Sequence, residues 1–247
     1  MQELRFLTHT LWKFKNKDKL SSKNYRMKKI NLIIGLCLVT LGGIHSQTID
    51  VDNYFSGLNV VTEKGGLPDG VIGSSYITDE FQPAKISTDD KTYAVRYNAY
   101  RDEMEIQHNN QNYYLTKTVG FTITFITDNK VYQSFPLPEN AGKTGFFVVL
   151  AAGNKGTVLL REKITFIEGS QSSTGYDSAQ PPQFKRQKDT FYLYRNGMAT
   201  EITTKKKDFL NLFGAQSKQV ESYMKKEKLN PKKAEDLSQI FTYYNSL

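Results

Sequence analysis

From about residue 84 to 204 the chain alternates apolar and polar residues with a period of two, and turn-forming pairs interrupt the alternation at short intervals. Successive side chains of a strand point to opposite faces, so this pattern demands strands with a buried face. Tyr, Phe, Val, Ile and Thr supply most of the run. Tyr93–Asn98 and Glu103–Gln107 read as a hairpin around 99–102. Their apolar residues share a face only if the loop holds an even number of residues. Tyr97 then faces Met104, Val95 faces Ile106, and Arg96 faces Glu105 on the other side. Phe121–Thr127 and Lys130–Phe135 flank Asp128-Asn129, a pair suited to a type I′ turn. Phe146–Ala152 and Thr157–Ile167 flank Gly153–Gly156. Phe191–Arg195 and Met198–Thr203 flank Asn196-Gly197, the strongest short hairpin signal in the chain. The run Phe146–Leu150 is apolar on both faces and predicts a central, covered strand. Nine or ten consecutive strands make an antiparallel meander the simplest topology.

The last forty residues change period. Lys206–Phe213 reads as a short helix closed by Gly214, and Ser217–Lys228 as a second with Val220, Tyr223 and Met224 on one face. Asn230 is placed to cap a third helix with Pro231 at its first position. Its apolar stripe is Ala234, Leu237, Ile240, Phe241 and Tyr244. Helices this short need a sheet to dock on. Residues 47–75 read as loop with one short strand, and Gly169–Gln183, with Pro181-Pro182, as a long polar loop. The expected fold class is therefore α+β: a large antiparallel meander sheet, curved or barrel-like, with C-terminal helices packed on it.

The N-terminal end reads differently. Lys28-Lys29, the apolar stretch Ile30–Ile44 and the small residue Ser46 resemble a secretory signal over Met27–Gln47, too short for a membrane span of about twenty residues. Residues 1–26 carry seven basic and two acidic residues and read as an extension ahead of the true start at Met27. The expected organisation is an extension over 1–26, a signal peptide over 27–46, and one mature domain over 47–247, mainly β over 84–204 and helical over 206–247.

This division changes the charge argument. The whole chain carries a formal charge of +8. Residues 47–247 hold 24 Lys and Arg against 23 Asp and Glu, which removes the basic excess that would suggest nucleic acid. The remaining charge is uneven. Residues 185–247 hold 13 basic and 7 acidic residues, including Lys205–Lys207, Lys225-Lys226, Lys228 and Lys232-Lys233. Such an end suits a solvated helix surface, and also contact with anionic headgroups or an acidic partner.

Past residue 46 there is no Cys, and one His, His108, in a stretch that reads as a polar turn. This excludes a thiol nucleophile and a multi-histidine metal site there. No phosphate-binding glycine loop or nucleophile elbow is present. Glu103 and Glu105 share a strand face roughly 7 Å apart at ~3.3 Å per residue, a spacing compatible with paired-carboxylate hydrolysis. Alternation with Met104 and Ile106 puts them instead on the solvent face, beside Arg96. Asp79-Glu80 and Asp89-Asp90 read as loop acids without the spacing of a calcium loop. Tyrosines such as Tyr113, Tyr114, Tyr132, Tyr192, Tyr194, Tyr243 and Tyr244 suit cross-strand pairing, and some could line a ligand groove.

Three stretches together resemble a family of exported envelope proteins of Bacteroidota that carries no assigned activity: Gly73–Ile77 with Glu80-Phe81; Arg96–Tyr100 with Asp102–Glu105; and the ending from Lys207-Asp208-Phe209 through Asp236-Leu237 to Tyr243–Leu247. The resemblance implies export and implies no catalytic residue. The expectation is a non-enzymatic envelope protein, in the periplasm, on the periplasmic face of the outer membrane or outside the cell. It would bind a protein partner or an apolar ligand, with no cofactor, metal or nucleic acid and with membrane-surface contact through the basic C-terminal region. Two alternatives stand beside it: a lipid- or lipoprotein-carrier half-barrel with the helices as a lid, and a hydrolase using Glu103 and Glu105.

Overall fold

The structure is a computed structural model that describes residues 54–55, 57–62, 70–88, 90–170 and 180–247. The expected extension over 1–26, the expected signal peptide over 27–46, Asp89 and most of the loop over 169–183 lie outside these residues. The described residues belong to one compact unit, Asp52–Leu247.

The described residues form thirteen strands, β1 (Val60–Val61), β2 (Gln82–Ile86), β3 (Thr92–Asn98), β4 (Glu103–His108), β5 (Gln111–Leu115), β6 (Thr122–Phe125), β7 (Val131–Leu137), β8 (Asn140–Ala151), β9 (Thr157–Arg161), β10 (Ile164–Ile167), β11 (Gln183–Arg186), β12 (Thr190–Arg195) and β13 (Met198–Glu201). Three helices follow: α1 (Lys206–Asn211), α2 (Ser217–Glu227) and α3 (Ala234–Ser246), with a 3₁₀ turn at Gly214–Gln216. The fold is α+β. Eleven strands form one antiparallel sheet in the order β1-β5-β4-β3-β2-β6-β7-β8-β9-β12-β13, while β10 and β11 pair separately. Two meanders thus lie back to back and join where β2 pairs β6. The sheet stays open, with β1 and β13 at its edges, so the barrel-like form of the expectation is not adopted.

The β3–β4 hairpin takes the register that the apolar pattern demands, with Val95 opposite Ile106, Arg96 opposite Glu105 and Tyr97 opposite Met104. Asn196 and Gly197 both adopt positive φ, 54° and 81°, as a type I′ turn requires. The Asp128-Asn129 turn departs from expectation. Only Asn129 takes positive φ, and β6 ends at Phe125, so residues 126–130 form a wider loop in which the Lys130 amide donates to Asp128 Oδ1. The strand expected over 157–167 divides into β9 and β10, which join different sheets. His108 closes β4 rather than lying in the turn, which is made by Asn109-Asn110.

Opposite faces of the sheet are covered by different means. On the first face Tyr93, Val95, Tyr97, Met104 and Ile106 are buried. Further along, the same face receives the helices: Val158 and Leu193 pack with Phe209, Phe213, Leu237 and Phe241. A bulge makes this possible. In β8 Val149 opposes Leu159 but Ala151 opposes Val158, so Leu150 is the extra residue and Ala151 turns toward the helices. On the second face Phe135, Phe147, Leu159, Tyr192 and Ala199 form a separate core. Phe135 of β7 lies 4.7 Å, ring centroid to centroid, from Tyr194 of β12, three strands away, so the sheet curls around this cluster.

The last helix is pinned at its end. Asn245 Oδ1 accepts from the Lys155 amide at 3.1 Å and its Nδ2 donates to the Gly156 carbonyl at 3.1 Å. A Cβ at Gly153 would lie 2.2 Å from the Asn245 side chain, so this turn needs glycine for close approach. The helix begins later than its sequence suggests. Asn230 Oδ1 accepts from the Lys232 amide in a turn, and α3 starts at Ala234 with Lys233 before it. The Asn230 and Pro231 cap is therefore a correction: the apolar stripe reaches the sheet only from Ala234 onward, and Lys228, in left-handed conformation at φ 56°, has already turned the chain.

Phe213 touches the rings of Phe209, Phe241 and Tyr244 at 5.0–5.2 Å and is almost wholly buried. Phe213→Ala should destabilise the protein by about 3–5 kcal/mol, read from urea unfolding. A loss below about 1 kcal/mol would mean that the helices are not held by this cluster.

Candidate functional site

Three acidic side chains are held on a common plan, each between a cation and a tyrosine hydroxyl. Glu105 on β4 is fully buried. Its Oε2 accepts from Arg96 Nε at 2.9 Å and Arg96 NH2 at 2.8 Å, and the Tyr76 hydroxyl donates to Oε1 at 2.9 Å. The Arg96 guanidinium is stacked over the rings of Tyr76, 3.8 Å away, and Phe81, 4.3 Å away. Asp102 accepts from the Tyr97 hydroxyl at 2.8 Å and from Lys117 Nζ at 3.0 Å. Glu162 accepts from Lys130 Nζ at 2.9 Å and from the Tyr132 hydroxyl, with Arg186 NH2 at 3.3 Å.

These contacts correct the sequence reading of the carboxylate pair. Glu105 does not face solvent. The segment before β2 crosses this face, with Tyr76 bridged to Asn98 and the Ile77 amide donating to the Tyr97 carbonyl at 3.1 Å. It brings Tyr76 and Phe81 onto Arg96. A period-two pattern assigns a residue to a face but does not say what later covers that face. Glu103, two residues away, stays half-buried opposite Asn98. The pair therefore has unlike environments, but Glu105 is saturated by its donors and presents no open acceptor to a substrate. His108 is stacked on Tyr54 with centroids 3.5 Å apart, a packing role. The Asp79 backbone carbonyl accepts from the Arg96 guanidinium at 3.0 Å. Among the described residues no group of three or more His, Cys, Asp or Glu is placed to hold a metal ion.

Tyrosines record the field of these acids. Burial, then the Glu105 charge, push the Tyr76 hydroxyl up to about 12. Burial and Asp102 push Tyr97 well above its usual value, and burial and Glu162 do the same for Tyr132. Tyr97 and Tyr132 lie 4.9 Å apart and border a cavity of about 60 Å³ with Arg96, Lys130, Glu80 and Asp128. That space suits roughly two waters at about 30 Å³ each.

An open recess with an apolar floor lies on the helical layer. Phe209, Leu210, Met224 and Leu229 form the floor of a groove of about 460 Å³, bordered by Lys206, Lys225, Lys228 and Lys232. A second recess of about 380 Å³ shares Thr204 and Lys232 with it, and runs on over Phe191 and Ile202 past Lys188 and Lys205. All six lysines are exposed. Glu221 binds Lys206 at 2.9 Å and Lys225 at 3.1 Å, and these cations hold its carboxyl below the usual range. Lys188, Lys205, Lys228 and Lys232 make no ion pair among the described residues.

The basic C-terminal region expected from the sequence thus lies around a groove rather than on a plain helix surface. Sequence missed the groove because its shape depends on the left-handed turn at Lys228 and on the later start of α3. Lys188, Phe191 and Ile202 carry no local signal and arrive from the turn before β12, from β12 and from the residue after β13.

Arg96→Leu should cost about 3 kcal/mol or more in urea unfolding, since it strands a buried carboxylate, and Arg96→Leu/Glu105→Leu should recover much of that loss. Equal losses in the single and double variants would count against a buried pair. Tyr76 binds its proton more tightly folded than unfolded, because about 12 exceeds 10.0. Its contribution is therefore present below pH 10 and lost as pH rises toward 12. Tyr76→Phe should flatten the alkaline loss of stability and remove one late step from an absorbance titration of tyrosine ionisation.

No protein-family model matches the chain, and no curated protein or solved structure matches it.

Proposed function

We propose that this chain is a non-enzymatic binding protein that takes an apolar ligand or partner bearing negative charge on its helical layer. The observation that carries this reading is the groove of about 460 Å³, with its floor of Phe209, Leu210, Met224 and Leu229 inside a rim of lysines. An apolar floor supplies affinity through burial, and rim charges supply orientation and on-rate. Export to the cell envelope is part of the proposal and rests on the signal-like sequence over Met27–Gln47 and on the resemblance to exported Bacteroidota proteins. Among the described residues no helix is long and apolar enough to cross a membrane.

The two alternatives receive less support. A hydrolase using Glu103 and Glu105 would need both carboxylates within reach of one substrate, and Glu105 is enclosed by Arg96 and Tyr76. A half-barrel carrier would need an apolar cavity within the curl of the sheet, and Phe135, Phe147, Leu159 and Tyr192 fill that space.

Anilinonaphthalene sulfonate, an anionic apolar dye, should bind with saturable fluorescence enhancement. Met224→Glu and Leu229→Glu should each abolish the enhancement, while Ser222→Glu, on the exposed side of α2, should leave it unchanged. Circular dichroism of each variant checks folding. Dye binding that survives both floor variants would refute the groove.

A further inference from the structure

The two recesses of the helical layer differ in detail, and their arrangement narrows the ligand. They run end to end and meet at Thr204 and Lys232. Lys188 and Lys205 border the second recess only, Lys232 both, and Lys206, Lys225 and Lys228 the first only. The cations are therefore spread along the whole path. Phe191 and Ile202 line the second recess and Phe209, Leu210, Met224 and Leu229 the first, and all six pack into one apolar cluster beneath. Acidic groups on the path are few: Glu221 is bound to Lys206 and Lys225, and Asp189 to Arg186. Glu201 is exposed at the border of the second recess.

A single-chain amphiphile has one charged head and one long tail. It would need cations at one end and an unbroken apolar channel beyond them. A flat anionic membrane would need lysines on a common plane and would make no use of recessed floors. The two adjoining recesses each have their own apolar floor, and both carry cations. Resting on the groove reading above, we infer that the ligand is an extended acidic peptide segment of a partner protein, with two apolar side chains seated in the two hollows and carboxylates along the backbone facing the lysines. Peptide recognition by pockets for spaced side chains beneath a charged rim follows general recognition physics. Electrostatic steering makes the on-rate fall with salt, since the Debye length shrinks from about 10 Å at 0.1 M to about 3 Å at 1 M.

The test uses the chain from residue 47 to 247 and fluorescein-labelled ten-residue peptides of Asp and Glu carrying two leucines at spacings from two to five residues. Fluorescence anisotropy should show saturable binding at one preferred spacing, weakened about tenfold or more between 0.05 and 0.5 M salt. Lys188→Glu/Lys205→Glu and Lys225→Glu/Lys228→Glu, charge reversals at opposite ends, should each weaken it about tenfold. A peptide without leucines should bind far more weakly, and Met224→Glu should weaken the two-leucine peptide. Oleate and vesicles of phosphatidylglycerol are the comparators. Oleate binding that responds to reversals at one end only would overturn the peptide in favour of an amphiphile. Vesicle binding that is indifferent to Met224→Glu, with no peptide binding, would overturn it in favour of a membrane surface. If the anionic dye binds the groove while no peptide does, the peptide fails and the groove stands. If the dye does not bind, the groove reading itself fails.

Discussion

An open sheet of eleven strands has two faces and two edges, and neither face can be left as bare apolar surface in water. The rest of the molecule answers that constraint. Over β8, β9 and β12 the helices cover the first face, and the bulge at Leu150 turns Ala151 toward them. On the second face the sheet curls on itself, so that β7 and β12 meet through Phe135 and Tyr194. Over β3 and β4 the second face is covered by the segment leading into β2. That cover carries the Tyr76 hydroxyl, and Glu105 beneath it is bonded rather than solvated.

The cation, carboxylate and tyrosine sets solve the problem that such a cover creates. A buried acid alone is costly, and a buried ion pair repays its desolvation only with good geometry and further hydrogen bonds. The buried Glu105 and Glu162 have both, and the partly exposed Asp102 is bonded in the same way. Each also ties together parts of the chain that are distant in sequence: Tyr76 to β4, the β3–β4 turn to Lys117 and β8, and Lys130 to Arg186. Their role on this argument is to select one arrangement of the loops over the sheet. A hydrolytic role would need an acid left with an open acceptor.

The helical layer shows how a surface becomes selective without buried charge. Its lysines are individually ordinary. Lys225 and Lys226 sit in the last turn of α2, where cations complement the helix dipole. They become an ordered row only because the left-handed Lys228 folds the next segment back and brings Lys232 over the junction with the sheet. The apolar stripe of α3 turns inward, toward Val158 and Leu193, and leaves Met224 and Leu229 to line the recess.

Local chemistry was enough to determine most strands of the sheet, the Asn196-Gly197 turn and one register. Alternation required Val95, Tyr97, Met104 and Ile106 to share a face, and Asn196-Gly197 could scarcely do anything but turn. The stripe from Ala234 to Tyr244 likewise required a docked helix, though not its first residue, because a capping signal at Asn230 serves a turn as readily as a helix. What covers each face was decided only by tertiary structure, since a period of two distinguishes two faces without saying which is wet. That is why Glu105, written as a solvent-face acid, is buried, and why the eleven strands of the main sheet join as two meanders rather than one. The groove was decided there too: its floor and rim come from α1, α2, the turn over 228–232 and the ends of β12 and β13, and no single stretch of sequence contains them.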